Sequence, residues 1–450
     1  MTGRPAAALL HLGPGFANGM ANLHNARKAD TPVFNIVGEH ATYHLAFDAP
    51  LTADIQGMAA TVSATVATPQ SADEMGAVPA RMLGQIAQGG VATLVVPNDV
   101  AWSPTDALPV MSQPAPRDDF DHQSLPAAAR ALRAKGAALI IGAPFITRRM
   151  ASLAQAISAS TGCAVFTEPA VARMERGADT PALPRLPFHI DLATETLAGI
   201  KAAVLVGARV PVAFFAYPGR PSHMLPEAAE VLALATPQAN AEQALEALAE
   251  TLGACTKPVT HAAIPSYDPA APITAETLGQ VVAAHLPPGA IVVDESITNG
   301  ASLFALCGRG AAHDWINNRG GSIGYSMPVA LGAAVACPDR KVLCITGDGS
   351  AFYTLQALWT MARGQHDVTV LVLANRSYRI LSNESAKIGA GAPTEMTLPL
   401  MTLEQPAPDW VKLAEGQGVP ARSVATAGGL AEALIEALAI AGPRLIELRM

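Results

Sequence analysis

A chain of 450 residues, half of them hydrophobic and 15% charged, is long enough for two to four domains with full cores, and three is the working number. No uninterrupted apolar run reaches the roughly 18 residues a membrane-crossing helix needs, and a net charge of −8 with scattered Lys and Arg offers nucleic acid no basic stripe. The five cysteines, Cys163, Cys255, Cys307, Cys337 and Cys344, are widely spaced without a CxxC pair, so they read as reduced core residues, and no leader-type cleavage site is visible near Met1; a cytoplasmic location is expected.

Apolar runs alternate with Ala-rich helical stretches from end to end, which predicts parallel sheets with crossover helices and the α/β class. Residues 1–105 form a first unit with strands expected at Ala6–Leu12, Val33–Val37 and Ala92–Val96. Ser103 to Asp121 is rich in Pro, Asp and Ser and predicts a linker. Residues 122–254 predict a Rossmann-like middle unit with strands at Ala138–Gly142, Cys163–Thr167, Ala203–Val206 and Glu230–Thr236. Residues 262–450 predict a third unit, with strands at Ile291–Asp294, Lys341–Thr346, Val368–Ala374 and Arg444–Leu448. All three are expected to be doubly wound parallel-sheet domains. The first strand begins within six residues of Met1, whereas such a domain usually needs several βα units before its ligand-binding turn, so the first unit is expected to be partial.

The sharpest motif lies in the third unit. The strand Lys341–Thr346 runs into Gly347-Asp348-Gly349-Ser350, an amphipathic stretch from Ala351 to Arg363 follows, and a second strand ends at Ala374-Asn375. One right-handed βαβ crossover puts both strand ends on the same sheet edge, with neighbouring strands about 4.8 Å apart. Asp348 and Asn375 should therefore converge, and a carboxylate with an amide oxygen suits a hard cation such as Mg²⁺ shared with a phosphate. Gly347 and Gly349 would let the backbone approach a diphosphate at a helix N-terminus. The bland alternative is a glycine turn with an aspartate helix cap.

These residues resemble the thiamine-diphosphate enzymes, the family that includes acetolactate synthase, benzoylformate decarboxylase and pyruvate decarboxylase and that carries GDG, a spacer and NN. Here Asp348 and Asn375 stand 27 positions apart, with Ala374 in place of the first Asn. The resemblance implies Mg²⁺ on Asp348, Asn375 and the Ser377 carbonyl, with Gly347, Gly349, Ser350 and Tyr378 around the bound cofactor. The stretch from Gly347 to Thr360 is particularly similar to benzoylformate decarboxylase. Gly320 to Pro328, GGSIGYSMP, is similar to the segment that receives the aminopyrimidine ring. By that match the Gly321 carbonyl accepts from the 4′-amino group and Ile323 wedges the cofactor into its bent form; plain core packing is the alternative for Ile323. Thr298 and Asn299, after the strand end Asp294-Glu295, would contact the diphosphate or cap a helix.

Leu10 to Asn18 resembles the GPGxxN turn of the family's pyrimidine-binding domain, and His11 falls on an active-site histidine of benzoylformate decarboxylase. It would relay protons or orient the substrate carboxylate, or else be a satisfied strand-end histidine. The family's second catalytic histidine has no counterpart, because the matching region reads PVAFFAYPG from Pro211. The family glutamate that activates the pyrimidine lies before the GPG turn, and Met1 to Leu12 contain no acid. A start at an internal Met and a catalytically silent cofactor-binding relative are the two explanations. Gly13 to Gly19 followed by Glu39 also approaches a dinucleotide fingerprint, although Pro14 has no N–H to offer and the third glycine is one position late. Taken together, the motifs imply thiamine-diphosphate and Mg²⁺ dependent decarboxylation and carboligation of a small 2-oxo acid, acetolactate synthase-like, with benzoylformate-type decarboxylation as the alternative. A homodimer or homotetramer is implied, because family sites form between protomers. Which 2-oxo acid is used, and whether the middle domain carries FAD, these motifs leave open.

Overall fold

The computed structural model describes residues 1–450. Three sheets, parallel but for one edge strand of the third, follow one another along the chain, built from apolar strands joined by crossover helices. The first has strands β1 (Ala6–His11), β2 (Val33–Glu39), β3 (Thr65–Ala67) and β4 (Val91–Pro97), in the order β1-β2-β4-β3. β4 is buried along its whole length and reads VATLVVP, the continuous apolar run of a strand covered on both faces. β1 lies at the edge and leaves Leu9 80% exposed.

The middle sheet has the order β6-β5-β8-β9, from β5 (Ala137–Ile141), β6 (Ala164–Thr167), β8 (Ala202–Val206) and β9 (Glu230–Ala235). The remaining strand of that stretch, β7 (Arg173–Arg176), leaves it and pairs antiparallel with the third sheet, His313 opposite Arg176. That sheet holds β10 (Ala290–Glu295), β11 (His313–Asn317), β12 (Val342–Gly347), β13 (Val368–Ala374), β14 (Ala421–Val424) and β15 (Arg444–Arg449), ordered β14-β15-β13-β12-β10-β11-β7. One hydrophobic cluster of 55 buried residues includes Leu139 and Val204 of the middle sheet as well as Val292, Leu343 and Leu371 of the third. The second and third sheets therefore pack as one body. No helix is long and apolar enough to cross a membrane.

Strand order reverses between β10 and β12: β11 continues to one side, β13 and β15 to the other. A crevice opens outside the carboxyl ends of the strands at such a reversal. Glu295 pairs with Thr346, and Gly347 with Leu373, so β10, β12 and β13 end level with one another on that edge.

Expectation and structure differ after Gly349. A helix runs only from Asp348 to Ala351 and another from Ala357 to Gly364, in place of one stretch from Ala351 to Arg363. Between them, Thr354 Oγ1 donates to the Gly324 carbonyl at 2.8 Å, and the Tyr353 side chain lies where a Cβ on Gly324 would stand, 2.5 Å away. These contacts tie the turn to the neighbouring loop and divert it from helix.

Candidate active site

Asp348 begins the short helix after β12 and is 2% exposed. Its Oδ1 accepts from the Gly349 N–H at 2.9 Å, and its Oδ2 accepts from the Arg376 N–H at 2.6 Å. Burial pushes its carboxyl up to about 6, against the pull of these backbone donors. A buried carboxylate of this kind is a donor that suits a hard metal ion. Asn375, the first residue past β13, turns its Oδ1 onto the Ser377 N–H at 3.0 Å. The crossover thus brings Asp348, Asn375 and Ser377 to one strand edge, as expected. Among the described residues no group of three His, Cys, Asp or Glu could hold a metal. A site here would be one carboxylate plus amide and carbonyl oxygens, the set Mg²⁺ takes when phosphate supplies the rest.

The two glycines differ. A Cβ on Gly349 would stand 2.4 Å from the Tyr378 ring, whereas one on Gly347 would meet nothing within 4 Å. Gly349 serves the packing of Tyr378, and Gly347 leaves free space at the strand end. Ser350 is buried in the same turn.

The loop before the helix Ser326–Ala336 carries the residues expected to receive the aminopyrimidine ring. Its start is held by Glu295: Oε1 accepts from Gly324 N–H at 2.9 Å, Oε2 from Ser326 N–H at 3.0 Å and from Ser326 Oγ at 2.7 Å. A buried carboxylate on the first amides of a helix completes donors that helix geometry leaves free. Burial still raises the Glu295 pKa above the usual carboxylate range. Gly321 has φ +80°, and a Cβ there would lie 2.3 Å from the Phe214 ring tip, so only glycine fits. Ile323 is half-buried and faces a cleft of about 2310 Å³, lined also by Gly321, Thr298, Tyr378 and Phe214. Thr298 lies on the cleft; Asn299 is buried in a turn through its N–H to the Ser296 carbonyl, and neither caps a helix, since the next one starts at Leu303 with Ser302 before it.

His11 is exposed at the end of β1 and does not line the cleft that Ile323 lines. Within one protomer the structure does not bring these two residues together. Gly13 of the same turn would place a Cβ 2.3 Å from that of Ala53, so this glycine answers to packing by its own domain. Glu39 folds back onto the His40 N–H at 2.8 Å. Neither feature is arranged for a dinucleotide.

Two groupings escaped the sequence reading. Asn25, on the helix Leu12–Lys28, donates to the Ser322 carbonyl at 2.9 Å and accepts from the Ser322 N–H at 3.1 Å, while His24 Nε2 meets the Gly320 carbonyl at 3.1 Å. At the junction of all three sheets, Arg209 holds Asp30 through both carboxylate oxygens and Arg319 pairs with Glu168 at 2.9 Å. Burial pushes Glu168 up despite Arg319, so its ion pair only partly offsets desolvation. No local pattern marks these residues; only the asparagine cluster Asn18, Asn22 and Asn25 on one helix could have drawn notice.

Residues 301–448 match the C-terminal TPP-binding domain of thiamine pyrophosphate enzymes, and residues 1–63 match the N-terminal TPP-binding domain. The chain is 43% identical over 99% of its length to IlvX of Mycobacterium tuberculosis, a protein carrying an acetolactate synthase large-subunit name, and covers 87% of it. It is 28% identical, with the same coverage of each chain, to benzoylformate decarboxylase of Pseudomonas aeruginosa. The fold is shared with the 4-hydroxybenzoylformate decarboxylase of Rhodococcus jostii RHA1, at TM-score 0.82 and 23% identity over the whole chain and 88% of that structure. On the long match to IlvX and on two domain matches that fall on the sheets described, the chain belongs to the thiamine-pyrophosphate-dependent enzymes, the family with acetolactate synthases and 2-oxo acid decarboxylases among its members.

Proposed function

We propose that the chain binds thiamine diphosphate through Mg²⁺ on the β12–β13 edge and decarboxylates a 2-oxo acid, with carboligation as the outcome, in the manner of an acetolactate synthase. The observation that carries this reading is the buried Asp348 carboxylate, which accepts from the Arg376 N–H at 2.6 Å and so stands against the turn that holds Asn375 and Ser377. When bound, thiamine diphosphate supplies the nucleophilic carbon and the electron sink for decarboxylation. Asp348, Asn375 and the Ser377 carbonyl hold the metal. Gly347 leaves room for the diphosphate, the Gly321 carbonyl receives the ring amino group, and Ile323 sets the bend.

Carboligation rather than simple decarboxylation is the outcome read from the likeness to IlvX, which carries an acetolactate synthase large-subunit name. His11 would reach the site only from a second protomer, so the working unit is a homodimer or a larger assembly.

Calorimetric titration tests the metal assignment. Wild type should bind thiamine diphosphate only with Mg²⁺ present, and Asp348→Ala should weaken binding by ~100-fold or more, since removing one partner of a buried charge pair costs roughly 3–5 kcal/mol. Undiminished binding by the variant would overturn it.

A further inference from the structure

Arg319 directly precedes Gly320 and Gly321, and its side chain is only 7% exposed. Nη2 meets Glu168 Oε2 of the middle domain at 2.9 Å, while Nη1 stands 4.0 Å from Asp30 Oδ2 of the first domain and makes no hydrogen bond. Both carboxylates are themselves fixed. Glu168 Oε1 accepts from the Arg209 N–H at 3.1 Å, and Asp30 accepts from Arg209 Nη2 on both oxygens and from Gln238 Nε2 at 3.1 Å. Asp30 follows the helix Leu12–Lys28 with φ +52°, a conformation that a residue other than glycine rarely keeps without support from its surroundings. The middle sheet reverses its strand order between β5 and β8, and outside such a reversal an α/β sheet usually opens a crevice for a ligand. Here the chain fills that place itself. A Cβ on Gly142, the first residue past β5, would stand 2.5 Å from Glu168 Oε2 and 2.6 Å from the Gly207 carbonyl.

Within the cofactor-receiving loop, Asn318 Oδ1 accepts from the Gly320 and Gly321 N–H groups at 3.0 and 2.8 Å. These bonds shape the turn without fixing where it sits. Its place is set from other domains: Asn25 grips Ser322, and Arg319 reaches across to Glu168. A buried ion pair costs both partners their water and returns little net stability, whereas it fixes direction and registry between the parts it joins. Glu168 shows the cost, since burial still raises its carboxyl despite Arg319. We propose that Arg319 and Glu168 are positioning residues, whose ion pair holds the Gly321 carbonyl where the 4′-amino group of the cofactor arrives. The inference rests on the reading of Gly321 as the acceptor for that group.

Three ligands titrated calorimetrically with Mg²⁺ present separate this role from general support: thiamine diphosphate, oxythiamine diphosphate, which carries an oxygen in place of the 4′-amino group, and pyrophosphate, which has no ring. Wild type should prefer thiamine diphosphate to the oxygen analogue by about 10-fold or more, because the analogue leaves the Gly321 carbonyl facing another acceptor. Glu168→Gln and Arg319→Met should each cut that preference to roughly threefold or less, with pyrophosphate affinity within about twofold of wild type, since the β12–β13 edge is untouched. The paired variant Glu168→Gln/Arg319→Met leaves neither partner as a lone buried charge. It should keep its thermal midpoint nearer to wild type than Arg319→Met does and still show the lost preference. A paired variant that keeps the wild-type preference would overturn the proposal, and so would variants that lose pyrophosphate and thiamine diphosphate affinity in parallel. Absence of any preference in wild type would instead remove the Gly321 reading, and the positioning role with it.

Discussion

A glycine can be required by its neighbours or by a ligand, and Gly347 and Gly349 separate the two cases. An added methyl on Gly349 collides with Tyr378, so Gly349→Ala should cost about 1–3 kcal/mol of stability as overpacking does. Gly347 has open space around its missing Cβ and an ordinary backbone, with φ −70°. Gly347→Ala should therefore leave the denaturant midpoint unchanged and weaken thiamine-diphosphate binding roughly 10-fold or more, since only the ligand stands in its way. A variant that binds as wild type would show that the diphosphate does not approach this strand end. His313 offers a second residue-scale test. Burial lowers its imidazole to about 4, with Nδ1 on the Ala311 carbonyl and Nε2 buried without a partner. The unfolded chain then binds a proton that the folded chain refuses, so stability is full above the ordinary histidine value near 6.5 and falls as pH drops from there toward 4. The loss is on the order of 3 kcal/mol. Urea unfolding from pH 7.5 to 4.5 should show this slope in wild type, and a His313→Asn variant that still folds should show a shallower one.

At the scale of elements, the clamp between the helix Leu12–Lys28 and the loop 318–322 joins the first domain to the third. Asn25 bonds both backbone groups of Ser322, and the Ser322 carbonyl keeps a second donor in Asn318 at 2.7 Å, so Asn25→Ala leaves the half-buried Ser322 N–H without its partner, at a cost of about 1 kcal/mol. The same loop presents Gly321 and Ile323, so this variant should also lose affinity for thiamine diphosphate, and Asn25→Asp should not restore it because a carboxylate cannot donate to the Ser322 carbonyl. Equal cofactor affinity in the alanine variant would show that the loop holds its shape without the clamp. These elements also show what could be read beforehand. Strands such as β4, β12 and β13 are continuous apolar runs, so their burial is written locally. β3, β7, β11 and β14 escaped because they are short or polar: RMER and HDWIN become strands through pairing with each other and with β10, which no local pattern encodes. The site divides in the same way. Asp348 and Asn375 belong to one βαβ unit and were legible from spacing, whereas Asn25 meets Ser322 across 297 positions and Phe214 meets Gly321 from another domain.

For the whole molecule, the residues expected to share a reaction are split between surfaces of one protomer. His11 is exposed at the end of the edge strand β1, with Leu9 bare beside it, while Ile323 and Gly321 open into the cleft of the other two domains. More apolar surface lies uncovered at Tyr43 and Phe47 of the first domain and at Tyr353 and Leu400 of the third. We propose that an isologous dimer covers these side chains, with the first domain of each copy against the third of the other. If the cofactor lies between them, it binds the assembled state better than the separate protomers, and linkage requires that it tighten association by the same factor. Sedimentation velocity at micromolar concentration should therefore show a dimer or a larger even assembly, with a lower dissociation constant once Mg²⁺ and thiamine diphosphate are added. Asp348→Ala should associate as wild type does without cofactor and show no tightening when it is added. Sedimentation as a monomer at every concentration, with cofactor bound, would mean that one protomer completes the site alone and that His11 takes no part in it.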